Sequence, residues 1–394
     1  MRLRKPKESK ILLTLSSDFD RAEFLKEYWQ KKPVVLRQLF PEFTDPLTPE
    51  ELAGCACEEQ VESRLVCEDE EGSFSLQHGP FDEKDFTSLP ESHYTLLVQA
   101  MDQWFDEVAE LKRAFDFVPS WRVDDVMISY ASENGGVGPH FDNYDVFLIQ
   151  GLGRRRWRLG QNCDGNTPLK EGSPLRLIED FETTQDLVLE PGDVLYVPPG
   201  VAHWGEAVSK SLCYSLGFRA PSEGEMLEGF SDFLISRAGE SRYEDPAPTL
   251  PRELNEIEAG SLTNSFARLK QQVDDVSLFQ QWFGCHVTQP KYPELIVPLS
   301  GEQAEFAQHA LEDAESLSHH PSSRFAFLED SESDSLFLFA DGQAAKFPLT
   351  LKESLARLCE TTPLSGETLD NFLAEPRLNE LLLRLVKQGS LQID

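Results

Sequence analysis

Basic residues are scarce in this 394-residue chain: 36 Lys and Arg stand against 69 Asp and Glu, a formal charge of −33 at pH 7. A surface of that sign repels a phosphate backbone, which argues against direct nucleic-acid binding and favours basic partners. The sequence has no apolar run of the roughly 18 residues a membrane-spanning helix needs. After the basic start MRLRKPKESK, the run ILLTL is too short for a secretory h-region. The seven cysteines are an odd number with one close pair, Cys55-x-Cys57, and no second pair to complete a zinc site. Free thiols in a cytoplasmic protein are the expectation.

What is present is enough to fold. Forty per cent hydrophobic residues, with 26 Phe and 6 Trp, rule out global disorder, and the length suits two or three domains. Residues 18–32 carry apolar side chains at helical spacing behind an Asp N-cap, Val34–Leu36 read as a short strand, and Thr48-Pro49-Glu50-Glu51 opens a helix. Residues 95–117 show three- and four-residue apolar steps and predict a core-facing helix. From Asp125 onward the texture becomes short β segments (VMISYAS, DVFLIQG, RRRWRLG, DLVLEPGDVLYVPPG, SLCYSLGF) set apart by turn residues, as in a sandwich or barrel. After Pro221 the chain turns helical and acidic as far as the proline-rich EDPAPTLPRE, a plausible domain boundary. Helices are expected over 261–283 and 301–318, then a hairpin turning at Asp341-Gly342, then two or three short helices.

The chemistry concentrates in Gly135-Gly136-Val137-Gly138-Pro139-His140-Phe141-Asp142 and, 61 positions beyond Asp142, in His203 at the end of PGDVLYVPPGVAH. On a strand, His140 and Asp142 project from one face and can reach one ion, with His203 arriving from another strand. Two histidines and one carboxylate leave a face of an octahedral ion open, the arrangement by which non-haem Fe(II) takes a cosubstrate and dioxygen together. Each piece alone is weak, because a strand histidine is most often a satisfied structural residue. Asp193, in the turn Pro191-Gly192-Asp193, reads as a turn former.

In Arg154-Arg155-Arg156-Trp157-Arg158-Leu159 the alternation puts Arg155, Trp157 and Leu159 on the apolar, inward face. An inward guanidinium is costly unless an anion meets it, so Arg155 points to a small carboxylate beside the metal. Ser129 shares its strand face with Met127 and Ala131, and its hydroxyl either helps Arg155 hold that carboxylate or is satisfied by the backbone. Arg154, Arg156 and Arg158 read as surface charges.

With these residues in view, EYWQKKPVVLR, SRLV, HGPF, LLVQAMDQW, WRVDDVMIS, GGVGPHFDNYDVFLIQGLGRRRWRLG and PGDVLYVPPGVAHWGEA extend the pattern along the whole chain. The chain closely resembles the bacterial JmjC-domain ribosomal oxygenases, which hydroxylate an arginine of ribosomal protein L-sixteen in the large subunit. The resemblance implies a mixed α and β fold. Residues 1–220 would form a double-stranded β-helix (jelly-roll cupin, JmjC) catalytic domain with N-terminal helices, 221–285 a helical dimerisation segment, and 286–394 a winged-helix-like C-terminal domain. It implies Fe(II) held by His140, Asp142 and His203, 2-oxoglutarate held by Arg155 and Ser129, O₂ as oxidant, and 3-hydroxyarginine as product. The implied partners are ribosomal protein L-sixteen and a second copy of the chain, in the cytoplasm, without nucleic acid or membrane. Asp124, Asp125, Tyr144 and Asp145 are near enough in sequence to hold the substrate guanidinium. Two alternatives stay open on the residues alone: the same oxygenase chemistry on another side chain or a small molecule, and a metal-bearing cupin that binds a basic ribosomal protein without turnover.

Overall fold

Apolar runs buried on both faces build the first part of the chain. VFLIQ at 146–150 and VLYV at 194–197 are buried at every position. Their side chains alternate between two cores. Phe147, Ile149, Val194 and Tyr196 meet Phe24 and Phe115, while Val146, Leu148, Leu195 and Val197 meet Trp157, Leu159 and Leu189. A strand's period of two thus serves both cores with one peptide.

The computed structural model describes residues 14–240, 242–244, 255, 257–330 and 333–394. The basic start, and the proline-rich stretch after Glu244, lie outside the described residues. One compact unit ends at Ala220 and a second begins at Pro221.

In the first unit the strands are β1 (Val34–Leu36), β2 (Ser63–Glu68), β3 (Phe74–His78), β4 (Tyr94–Val98), β5 (Val123–Ala131), β6 (Val146–Gln150), β7 (Arg155–Asn162), β8 (Gln185–Leu189), β9 (Val194–Val197), β10 (Val201–Ala207) and β11 (Ser211–Phe218). They form an eight-stranded sheet in the order β1-β9-β6-β11-β5-β4-β2-β3 and a three-stranded sheet β10-β7-β8. Every pairing is antiparallel. The two sheets enclose the smaller core, and helices cover the other face of the large sheet. Helix α1 (Arg21–Glu27) supplies Phe24, α2 (Pro49–Cys55) supplies Leu52, α3 (Glu83–Thr87) packs partly buried Phe86 against this core, and α4 (Asp106–Ala114) supplies Val108 and Leu111. The predicted caps form: Asp20 accepts from the Glu23 amide, and Thr48 closes a capping box with Glu51.

The helix expected over 95–117 is replaced by β4, a short 3-10 turn and α4. Leu96, Leu97 and Val98 lie between β2 and β5, where a continuous apolar run suits a strand with both faces covered, and only Val108 and Leu111 keep the helical period.

The second unit begins with α5 (Glu223–Arg237), α6 (Ala259–Val273), α7 (Val276–Val287) and α8 (Glu302–Glu312). It continues with β12 (Ser316–His319), β13 (Phe325–Asp330), β14 (Ser335–Ala340), β15 (Gln343–Pro348), α9 (Lys352–Leu358), β16 (Leu364–Ser365), α10 (Gly366–Ala374), α11 (Pro376–Gln388) and β17 (Leu391–Ile393). The single helix expected over 261–283 breaks because Asp275 caps a new one, accepting from the Leu278 amide. The helix expected over 301–318 ends at Glu312, and Ser316–His319 pairs with β16 and β17 instead. The β14–β15 hairpin turns at Asp341-Gly342 as expected, both residues having positive φ.

Asp145, a sequence candidate for the substrate, is committed to the fold. It is fully buried and accepts from Tyr196 Oη at 2.6 Å, Gln30 Nε2 at 3.1 Å and Arg122 Nη2 at 3.1 Å. Asp145→Ala leaves three donors without their acceptor and is expected to cost about 3 kcal/mol of stability, measured by urea unfolding; an unchanged midpoint would show the cluster to be dispensable.

Candidate metal centre

The segment from Asn134 to Asp142 belongs to no named strand, yet it is laced to β10. Asn134 N donates to Ala207 O (2.8 Å), Ala207 N to Gly135 O (2.9 Å), and Gly200 N to Asp142 O (2.7 Å). His140 and His203 exchange backbone hydrogen bonds at 3.0 and 2.8 Å, the signature of a single antiparallel bridge. The sequence reading put His140 and Asp142 on one strand face. The structure gives His140 one bridge and leaves Asp142 in irregular chain, because prolines and glycines interrupt any longer ladder.

This lacing brings ligand atoms of His140, Asp142 and His203 within 4.8 Å of one another. Both imidazoles are oriented alike: His140 Nδ1 lies 3.0 Å from Gly138 O and His203 Nδ1 lies 3.0 Å from Val201 O. A carbonyl only accepts, so each Nδ1 carries the proton and each Nε2 keeps a lone pair for a metal. His203 Nε2 is 3.6 Å from Asp142 Oδ2. Burial, reinforced by neighbouring His140, pushes the His203 pKa below its ordinary value, which favours the neutral ring that a ligand needs.

Beside this set lies an unpaired cation. Arg155, Trp157 and Leu159 are buried and Arg156 is exposed, the alternation read from sequence. Arg155 donates from Nη1 to Ser129 Oγ at 2.9 Å and from Nε to Ser211 Oγ at 3.3 Å, while Nη2 has no partner. Burial pulls its pKa below the usual guanidinium value. Among the described residues no carboxylate pairs with it, and a buried guanidinium of this kind calls for an anion such as a carboxylate-bearing small molecule. Ser211, which the sequence reading did not single out, also accepts from Gln150 Nε2 (3.2 Å) and so fixes the roll of the guanidinium. Its alternation with Cys213 on β11 was the available signal.

The remaining sequence candidates separate by position. Asp124 pairs with Arg219 at 3.2 Å, and buried Asp125 accepts from Gln99 Nε2 at 2.9 Å. Tyr144 is 43% exposed and lies against Asp142. Asp193 is buried and turn-forming, accepting from the amides of Gln38 and Glu190 and pairing with Arg37. Of the outward arginines, Arg156 pairs with Asp186, and Arg158 pairs with Glu206 and lies over the Trp204 ring.

Known proteins share this arrangement over nearly the whole chain. Residues 110–226 match the JmjC domain family and residues 270–392 the ROXA-like winged helix family. Ribosomal protein uL16 3-hydroxylase of Escherichia coli (strain K12) is 37% identical over 380 residues, covering 93% of this chain and 96% of that protein. The chain belongs to the JmjC-domain ribosomal oxygenases. A probable ribosomal oxygenase of Haemophilus influenzae is 33% identical over 88% of this chain and 86% of its own length. The structure of YcfD, a ribosomal oxygenase from Escherichia coli, in complex with cobalt and 2-oxoglutarate matches with a TM-score of 0.82 at 35% identity, covering 96% of this chain and 99% of that one. The expected fold holds: a JmjC cupin of antiparallel sheets followed by a winged helix. No helix among the described residues is long and apolar enough to cross a membrane.

Gly138 carries the carbonyl that orients His140. It sits at φ +74°, and a Cβ there would lie 2.7 Å from Leu177 Cδ2. Gly138→Ala is expected to weaken metal binding about ten-fold, read by titrating the metal-free protein with Co(II) and following absorbance. Unchanged affinity would show that the Gly138 carbonyl does not set the ring.

Proposed function

We propose that this oxygenase uses Fe(II), 2-oxoglutarate and O₂ to hydroxylate C3 of an arginine side chain in ribosomal protein uL16, the L-sixteen protein of the large subunit. The observation that carries the reading is the buried, carboxylate-free Arg155 beside three clustered metal-type ligands. A pure binding module has no use for that cation. The name of the Escherichia coli relative supports the substrate, and the net charge of −33 suits a basic ribosomal protein.

In this reading His140, Asp142 and His203 hold the iron, and Arg155 with Ser129 hold the far carboxylate of 2-oxoglutarate. The bound iron and cosubstrate supply the oxidising chemistry, with succinate and CO₂ as co-products. The chain supplies placement. The Gly138 and Val201 carbonyls fix both imidazoles, and Ser211 and Gln150 fix the guanidinium.

The domain limits 1–220, 221–285 and 286–394 belong to the same proposal, as do the cytoplasmic setting and the homodimer. Support for the dimer comes from α6, which buries no residue. Its Leu262, Phe266, Leu269 and Val273 follow one helical stripe and are all more than half exposed. All seven cysteines are free, which suits a reducing compartment. The winged helix reads as a protein-facing or structural module, because residues 302–334 hold nine Asp and Glu and a single Arg, Arg324.

Incubation of uL16 with the protein, Fe(II), 2-oxoglutarate and air should add one oxygen to a single arginine, located by fragmentation mass spectrometry. His140→Ala and Asp142→Ala should abolish that gain with the fold kept, and Arg155→Ala should raise the KM for 2-oxoglutarate far more than that for uL16. Succinate formation without a gain on uL16 would move the substrate elsewhere, and no turnover would favour a binding module. Phe266→Asp should shift the protein from dimer to monomer in sedimentation; a wild-type monomer would remove the dimer.

A further inference from the structure

Three buried side-chain atoms among the described residues lack a hydrogen-bond partner: Gln150 Oε1, Arg155 Nη2 and Trp157 Nε1. The carboxylate proposed above answers Arg155. Trp157 calls for an acceptor of its own, since an indole N–H can only donate and a buried one ordinarily finds a partner. A side chain needed only to fill space would be Phe or Leu, with no N–H to leave unmade.

The placement of the ring says what the acceptor is. Trp157 follows Arg155 by two positions on the inward face of β7. In the β7–β10 register Arg155 lies opposite Ala207, Trp157 opposite Gly205, and Leu159 opposite His203. Trp157 therefore occupies the row between the cation and the metal-type ligands, with its ring centroid 5.9 Å from that of His203. Its seat is built for it: a Cβ at Gly205 would come within 2.7 Å of two ring carbons, so the absence of a side chain there lets the indole lie flat against β10. A small molecule reaching from Arg155 to the metal must pass this ring, and a dicarboxylate with a 2-oxo group carries acceptors along its length.

We propose that the Trp157 indole N–H is a further hydrogen-bond donor to 2-oxoglutarate, acting with Arg155 and Ser129, so that Trp157 is a cosubstrate-binding residue and not only a wall of the site. The inference rests on 2-oxoglutarate being the cosubstrate.

The test is an indole ¹H–¹⁵N spectrum of the full-length protein loaded with Zn(II), which is diamagnetic. The chain has six tryptophans, and Trp157→Phe identifies the signal of interest by its loss. Phe variants of the other five identify it by elimination should Trp157→Phe fold poorly. Adding 2-oxoglutarate is expected to move the Trp157 proton downfield and slow its exchange with water. Calorimetric titration of Trp157→Phe should give a 2-oxoglutarate dissociation constant raised about ten-fold, the order for one hydrogen bond to a charged acceptor. If 2-oxoglutarate binds in an Arg155-dependent manner while the Trp157 signal and the Trp157→Phe affinity stay unchanged, the acceptor is water and the inference is overturned with the cosubstrate reading intact. If the wild-type protein binds no 2-oxoglutarate, both fall.

Discussion

The reciprocal backbone pair between His140 and His203 is the constraint on which the centre depends. It joins two segments more than sixty residues apart and, through their shared register, sets two imidazoles side by side, ring centroids 4.3 Å apart. One such bridge is a weak device alone, and its neighbours reinforce it. Asn134, Gly135 and Asp142 bond along the same line, and the amide of Ile178 donates to Pro139 O from the loop between β7 and β8. The irregular chain that delivers two of the three ligand-type residues is thus held from both sides.

Charge is handled in two contrasting ways in the first unit. Buried Asp145, Asp193 and Asp102 each have a cationic partner in the chain, in Arg122, Arg37 and Lys112, as the cost of isolating an ion requires. Arg155 is buried to a similar degree and meets only hydroxyl oxygens. That imbalance sets the two kinds of ion apart: the three aspartates have their counter-ions in the fold, while Arg155 has no carboxylate partner among the described residues. The proposed roles of Ser129, Ser211 and Trp157 follow from the same accounting of buried donors.

Much of this was legible in the residues. Alternation in RRRWRL correctly turned Arg155, Trp157 and Leu159 inward, and the capping signals at Asp20 and Thr48 correctly opened helices. The misreadings share a cause. Over 95–117, 261–283 and 301–318 the apolar spacing accommodates a helix, but tertiary pairing or a local cap decides otherwise: Leu96–Val98 joins a sheet, Asp275 starts a new helix, and Ser316–His319 finds two strand partners. Periodicity records which side chains are apolar, not what will cover them.

By itself the sequence determined the kinds of group available, two imidazoles, a carboxylate and an inward guanidinium, together with the strand face that carries the guanidinium. These are local properties, set by residue chemistry and a period of two. The tertiary structure alone decided that Asp145 belongs to the core and that Tyr144 lies against Asp142, that Ser211 steadies Arg155, and that Trp157 lies between cation and metal-type ligands with its N–H unanswered. Those outcomes depend on register between strands distant in sequence, and register is fixed only when the two sheets close over a common core.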